Sequence, residues 1–252
     1  MSQPSTHSHG DDGSARRSGP RPTADERLFV SPHLERGAFT QTDPWRVLRI
    51  MGEFVSGFDE LADVGEAVTI FGSARLHESD PLYDAATYTA RRLGEEGFTI
   101  ITGAGPGVME AANKGAREAG ALSIGLNIEL PMEQHSNPYL DRTIDFRYFF
   151  VRKTMLVKYS EAFIVFPGGF GTLDELFEAL TLIQTGKVQN MPIVLFGSSY
   201  WAGLVDWLRE RLLADGRISA ADLKIFDLVD DPEAIVRIVL ASRAKRLETL
   251  IP

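Results

Sequence analysis

Apolar positions along the chain fall into short runs separated by longer stretches of mixed character. Runs at 67–71, 98–102, 122–126, 143–149, 162–166 and 192–196 have the length of buried strands, and the segments between them have the length of helices. This alternation predicts βαβ units with right-handed crossovers. The expected fold class is therefore α/β: a doubly wound parallel sheet, Rossmann-like, with flanking helices, whose strand C-terminal ends share one edge. Ahead of the first strand, Trp45, Leu48, Met51, Val55, Phe58 and Leu61 recur at helical spacing. They predict an amphipathic helix over 44–62, packed onto the domain through that stripe. Past the last long run, 225–228 reads as a short strand or loop and 232–247 as a closing helix. The organisation that follows is a disordered N-terminal extension over 1–40 and a single domain over 41–252. Residues 1–26 carry mixed Arg, Asp, Ser, Pro and Gly with no apolar stretch of the kind a signal peptide needs.

Three of the strands run straight into turns of small residues: Gly72-Ser73-Ala74, Gly103-Ala104-Gly105-Pro106-Gly107, and Pro167-Gly168-Gly169-Phe170-Gly171-Thr172. All three should open on the same sheet edge. Glycine lets backbone approach a ligand closely, and the helix that follows offers unpaired N–H groups and the positive end of its dipole. Such an edge suits an anion, although each turn alone also reads as an ordinary βα connection. The third turn lacks the Gly-Lys-Ser/Thr ending of a triphosphate loop. The second is G-x-G-x-G, not the dinucleotide pattern G-x-G-x-x-G. A monophosphate is the simplest guest.

Two further groups bear on chemistry. Thr172-Leu-Asp-Glu175 has the T-x-x-E spacing of a helix capping box. The same carboxylate, one turn from a bound phosphate, would equally face a ribose and hold a hydroxyl or a water beside the positive charge that develops at C1′ in glycosidic cleavage. Arg152 and Lys153 fall near the start of the helix after Phe149, where the dipole disfavours cations, so an anionic partner is expected. Guanidinium stays charged at any working pH. Arg152 is thus cast as an electrostatic group that orients phosphate or the leaving base or holds Glu175, with Lys153 in similar work.

Composition narrows the field. A net charge of −9 over 252 residues argues against a nucleic-acid or membrane-surface partner. No apolar run is long enough to span a membrane, and a cytoplasmic location is expected. Without cysteine there is no disulfide framework, thiolate metal site or cysteine nucleophile. His7, His9, His33, His77 and His135 are scattered without metal-ligand spacing, so neither a metal nor a cofactor is expected. Gln184, on the helix that starts at the third turn, is a candidate wall of a base pocket. Glu129, about twenty residues past the second turn, sits where a dinucleotide-binding domain keeps its ribose acid, which leaves an NAD(P)-dependent oxidoreductase open.

The segment Pro167-Gly-Gly-Phe-Gly-Thr-Leu-Asp-Glu175 resembles the P-G-G-x-G-T-x-x-E motif of the Lonely Guy family, often labelled lysine decarboxylases, and Val151-Arg-Lys-Thr-Met155 resembles its R-K-x-x-M segment. With Gly72-Ser73 and Thr102 through Met109, the resemblance spans about residues 65–240. It implies hydrolysis of the N-glycosidic bond of N6-substituted adenosine 5′-monophosphates, the cytokinin nucleotides, and of AMP in some relatives. Arg152 and Glu175 would then be the catalytic pair. Ser73, Gly103, Gly105, Gly107, Lys153, Gly168, Gly169, Gly171 and Thr172 would bind the nucleoside monophosphate. The N-terminal extension and the Ile128-Glu-Leu-Pro-Met-Glu-Gln134 segment look like the longer subgroup, implying a homo-oligomer, a dimer or a hexamer built of dimers. A lysine decarboxylase would need a Schiff-base lysine in a pyridoxal phosphate site, and nothing beyond isolated lysines suggests one. Open alternatives are a non-catalytic sensor of a nucleotide or NAD derivative, and a nucleosidase for another purine or pyrimidine monophosphate.

Overall fold

The computed structural model describes residues 23–29, 42–130 and 136–250. In chain order the elements are α1 (Ala24–Leu28), α2 (Asp43–Glu60), β1 (Ala67–Phe71), α3 (Pro81–Glu95), β2 (Thr99–Thr102), α4 (Val108–Glu118), β3 (Ser123–Ile128), β4 (Arg142–Phe146), α5 (Phe149–Lys158), β5 (Ala162–Val165), α6 (Phe170–Gln184), β6 (Ile193–Phe196), α7 (Ser198–Trp207), β7 (Phe226–Val229) and α8 (Pro232–Leu250). The strands form one seven-stranded sheet in the order β4-β3-β2-β1-β5-β6-β7, and every neighbouring pair is parallel. The expected doubly wound, Rossmann-like α/β architecture is the one observed.

Central strands β1, β2, β5 and β6 are buried at every position, which is why they read in the sequence as unbroken apolar runs. Period-two alternation then sorts their side chains between two cores. Phe71, Phe163 and Val165 join α5, α6 and Trp201 of α7 on one face. Val68, Ile70 and Ile164 join α3, α4 and α8 on the other. The direction in which successive strands are added to the sheet reverses between β1 and β5, which pair in parallel from Val68–Ala162 to Phe71–Val165. The crevice beyond their C-terminal ends is the topological switch point where open α/β sheets bind ligands.

Three expectations need correcting. The fourth apolar run was expected as strand through 149, but β4 ends at Phe146 and Phe149 already belongs to α5; the aromatic side chains there pack a helix start. The helix over 44–62 exists as Asp43–Glu60, yet it does not dock through the expected stripe: Leu48, Met51, Val55 and Phe58 stand exposed. The docked side carries Ile50, Phe54 and Gly57, with Leu61 just past the helix end. Gly57 decides the orientation, because a Cβ there would lie 3.0 Å from Met155 and 3.1 Å from Phe146. Residues 23–29 fall inside the extension expected to be disordered, yet they form α1, closed by a Thr23–Glu26 capping box, with Leu28 packed against the core. His7, His9, His33 and His135, and residues 131–134 of the segment after β3, lie outside the described residues.

Candidate functional site

A cavity of about 790 Å³ opens at the switch point, lined by the β1 turn (Gly72, Ser73, Arg75), the β5 turn and first turns of α6 (Gly168 to Glu175), Arg152 and Phe149 of α5, and Tyr200 of α7. The two turns are tied together: Ser73 donates its N–H to the carbonyl of Pro167 at 2.9 Å. Helix α6 begins with Gly169 as N-cap and has no side-chain cap, so no capping side chain takes the amides of its first turn, which have no intrahelical partner. Added Cβ atoms at Gly169 and Gly171 would meet nothing within 4 Å. That is the geometry of an anion site at a helix N-terminus.

With the helix beginning at Phe170, Thr172 lies inside its first turn and Glu175 one turn further on. The capping box that T-x-x-E spacing allows is therefore not formed. Glu175 is instead 6% exposed, and its Oε2 has no hydrogen-bond partner. Burial pushes its carboxyl up to about 7, against the pull of Arg152 and then Lys153. Arg152 keeps part of its surface open, while its Nε is shut away without a partner. Burial moves its guanidinium below the ordinary arginine range, and attraction to Glu175 opposes that shift. The two groups feel each other's charge but form no ion pair within 4.0 Å, so each has valences left for a third party.

The sequence-predicted residues divide into three groups. Ser73, Gly168, Gly169, Gly171, Thr172, Arg152 and Glu175 converge on the cavity. Gly103, Gly105 and Gly107 lie beneath it. Gly107, at φ +69°, lets the chain pass under the β1 turn, where a Cβ would come 2.3 Å from the Ser73 carbonyl oxygen. Asn137 holds the carbonyls of Ala104 and Gly105 at 3.1 Å each. This second turn lies off the cavity wall, under the β1 turn and Arg152. Lys153 is not part of the cavity wall and bridges to α6 through Asp174 at 2.9 Å and Glu178 at 2.8 Å. Gln184 is remote too, beside Asp222 in a separate apolar hollow, and Glu129 is exposed past the end of β3, off the cavity.

Arg75, Met109, Phe149 and Tyr200 line the cavity without having been singled out as site residues. Tyr200 was the least visible, for it comes from α7. Its signal is Gly197, which follows β6 on the same sheet edge and takes φ +96° at the helix start. The Tyr200 hydroxyl donates to the Gly168 carbonyl at 2.5 Å, pinning the anion turn from the side.

The family model described as "Possible lysine decarboxylase" matches residues 109–239, more than half the chain and all of α5, β5 and α6. The chain belongs to this family, the Lonely Guy family. Among its relatives is a probable cytokinin riboside 5′-monophosphate phosphoribohydrolase of Oryza sativa subsp. japonica, 29% identical over 65% of this chain and 72% of the relative. A pyrimidine/purine nucleotide 5′-monophosphate nucleosidase of Escherichia coli K12 is 32% identical over 53% of this chain, a match that spans 32% of that longer protein. In fold, the chain resembles the molybdenum cofactor carrier protein of Chlamydomonas reinhardtii, with a TM-score of 0.51 at 23% identity over 70% of this chain and 98% of that one. Both Lonely Guy motifs of this chain, at Arg152 and at 167–175, border the cavity. Among the described residues no helix is long and apolar enough to cross a membrane.

Proposed function

We propose that this protein hydrolyses the N-glycosidic bond of nucleoside 5′-monophosphates, releasing free base and ribose 5-phosphate, with adenine nucleotides and their N6-substituted cytokinin forms as substrates. The observation that carries the reading is the pairing of a buried, unpartnered carboxylate at Glu175 with an uncapped helix N-terminus two turns or less away, on the wall of one cavity. The relatives' activities agree with it: both act on nucleoside 5′-monophosphates by their names.

The 5′-phosphate sits on the amides of Gly169 to Thr172, in the positive field of α6. The turn geometry leaves backbone room there at Gly169 and Gly171. Ribose then lies toward Glu175. As the bond from C1′ to the base nitrogen lengthens, positive charge grows on the ribose ring and negative charge on the base. Ionised Glu175 stabilises the former and takes a proton from the attacking water, whose oxygen bonds to C1′. Arg152 balances the negative charge on the departing base, which takes up a proton as it is released. A carboxyl near 7 suits a proton acceptor working at neutral pH. Phe149 and Met109 supply apolar wall for a base. Of the site residues named at the sequence level, Ser73, Gly168, Gly169, Gly171 and Thr172 enter this scheme as ligands of substrate, Gly103, Gly105 and Gly107 form the turn beneath it, and Lys153 orders α5 against α6.

Incubating the pure protein with isopentenyladenosine 5′-monophosphate and with AMP, and separating the products by chromatography, tests the reading. Free base and ribose 5-phosphate in equal amounts are expected. Saturable binding without base release would replace hydrolysis by the sensor alternative.

A further inference from the structure

Helix α5 carries Arg152, and its N-terminus is capped from outside. Its N-cap residue, Tyr148, contributes no side-chain bond. Three successive amides are taken instead by two carboxylates from the N-terminal helices. Glu53 Oε1 of α2 accepts from the N–H groups of Arg147 and Tyr148 at 3.0 Å each, and Asp25 Oδ2 of α1 accepts from Phe149 N–H at 3.0 Å. The link continues to the site. Tyr148, buried, returns its carbonyl to the N–H of Arg152 at 3.2 Å, the helical bond that fixes the backbone bearing the guanidinium. Phe149, whose amide Asp25 holds, is itself cavity wall.

Electrostatics gives these carboxylates a second role. Arg152 is a partly buried cation in the first half of a helix whose dipole is positive at that end, an unfavourable place. Negative charge at the helix start offsets it. Asp25 and Glu53 supply that charge among Arg147 and Glu129, the other charged groups near them. Helix α2 can bring Glu53 to this spot because Gly57, one turn along the same side, lets it close onto Met155 and Phe146, and because Phe54 packs on Phe150.

We infer that Glu53 is a positioning residue for the hydrolysis proposed above: by capping α5 from α2 it sets the place of Arg152 over Gly103, with Asp25 of α1 doing the same for Phe149. The inference rests on the hydrolase reading for its kinetic consequence but not for its structural one. Three variants separate the cases. Glu53→Ala removes both bonds. Glu53→Asp keeps the charge but withdraws the oxygens by a methylene. Glu53→Gln keeps an oxygen that accepts both amides. With AMP as substrate, Glu53→Ala is expected to lower kcat by about ten- to a hundredfold while KM changes by less than about threefold, because the affected group acts in the transition state. Glu53→Asp falls between, and Glu53→Gln recovers to within about threefold of the parent protein. An unchanged kcat in the Ala and Asp variants, or a Gln variant as impaired as Ala, overturns the inference. Crystal structures of the parent protein and of Glu53→Asp supply an arm that needs no turnover. Arg152 displaced from Gly103 supports positioning, and Arg152 in place overturns it. If the parent protein releases no base from any nucleotide, the hydrolase reading fails by itself and that crystallographic comparison decides the role of Glu53.

Discussion

Gly103 lies directly under the guanidinium of Arg152: a Cβ built on Gly103 would stand 2.7 Å from Arg152 Nη2 and 2.9 Å from Met109 Sδ. Both neighbours are ends of flexible side chains, and the backbone at Gly103 does not require a left-handed φ. Gly103→Ala should therefore fold and shift the guanidinium rather than the chain. The expected outcome is a fall in kcat of about tenfold or more, since small displacements of an oriented group are costly in the transition state. The melting temperature should change by only a few degrees, about 1 kcal/mol. Steady-state kinetics beside a thermal melt checks this, and an Ala variant with full activity would show that Arg152 can move without consequence.

The pH dependence follows from Glu175, whose carboxyl is raised to about 7 by burial. If the ionised form receives the proton of water, kcat/KM climbs with pH and levels off above an apparent pKa near 7. Arg152 pulls that value down. Replacing it by Met should carry the acid limb of the residual activity upward by about one unit, in the direction expected when an opposite charge is removed. A limb that stays in place, or moves down, would mean that the titrating group is not Glu175.

Tyr200 reaches across from α7 to hold the Gly168 carbonyl. In the proposed reaction the hydroxyl fixes the turn whose amides would take phosphate and does not itself bear on C1′. Tyr200→Phe should therefore weaken binding more than chemistry. The expected change is a rise in KM of about three- to tenfold with kcat nearly constant, the loss of one hydrogen bond of about 1 kcal/mol. Titration with ribose 5-phosphate should show the same weakening. A drop confined to kcat would place Tyr200 at the reacting bond.

Much of this architecture was legible in the chain because its strands are buried on both faces. Runs such as 67–71 and 162–166 announce themselves through apolar content, and small residues directly after them mark the turns of the switch point. Glu175 could be picked out from the motif that starts at the β5 turn, and Arg152 from its place near the start of the helix after β4. The working face of α2 was not: hydrophobic periodicity picked Leu48, Met51, Val55 and Phe58, and a single close approach at Gly57 outweighed them. Capping of α5 by Asp25 and Glu53 was equally hidden, because contacts between residues 124 and 95 positions apart leave no mark in local spacing. T-x-x-E misled in the opposite sense. The pattern is that of a cap, but Gly169 starts the helix ahead of Thr172 and frees Glu175.

That freed carboxylate is a burden on the fold, and the burden has a pH signature. The folded protein holds the proton of Glu175 up to about 7, whereas the unfolded chain gives it up near 4.5, the ordinary value of a glutamate carboxyl. Between those values the native state binds more protons than the unfolded one, so this group makes stability fall as pH rises through the window. The difference of 2.5 units, 7 minus 4.5, corresponds to about 3 kcal/mol above pH 7 and vanishes below the unfolded value. Glu175→Gln removes the charge while keeping the shape. It should therefore abolish base release yet raise the melting temperature by several degrees at pH 8, with little change at pH 4.5, the exchange of stability for function expected of an active-site acid. Thermal melts of both proteins across that range check it. A Gln variant that is less stable than the parent at pH 8 would mean that the ionised carboxylate is held by partners in the fold and is not the strained, unpaired group that the hydrolysis requires.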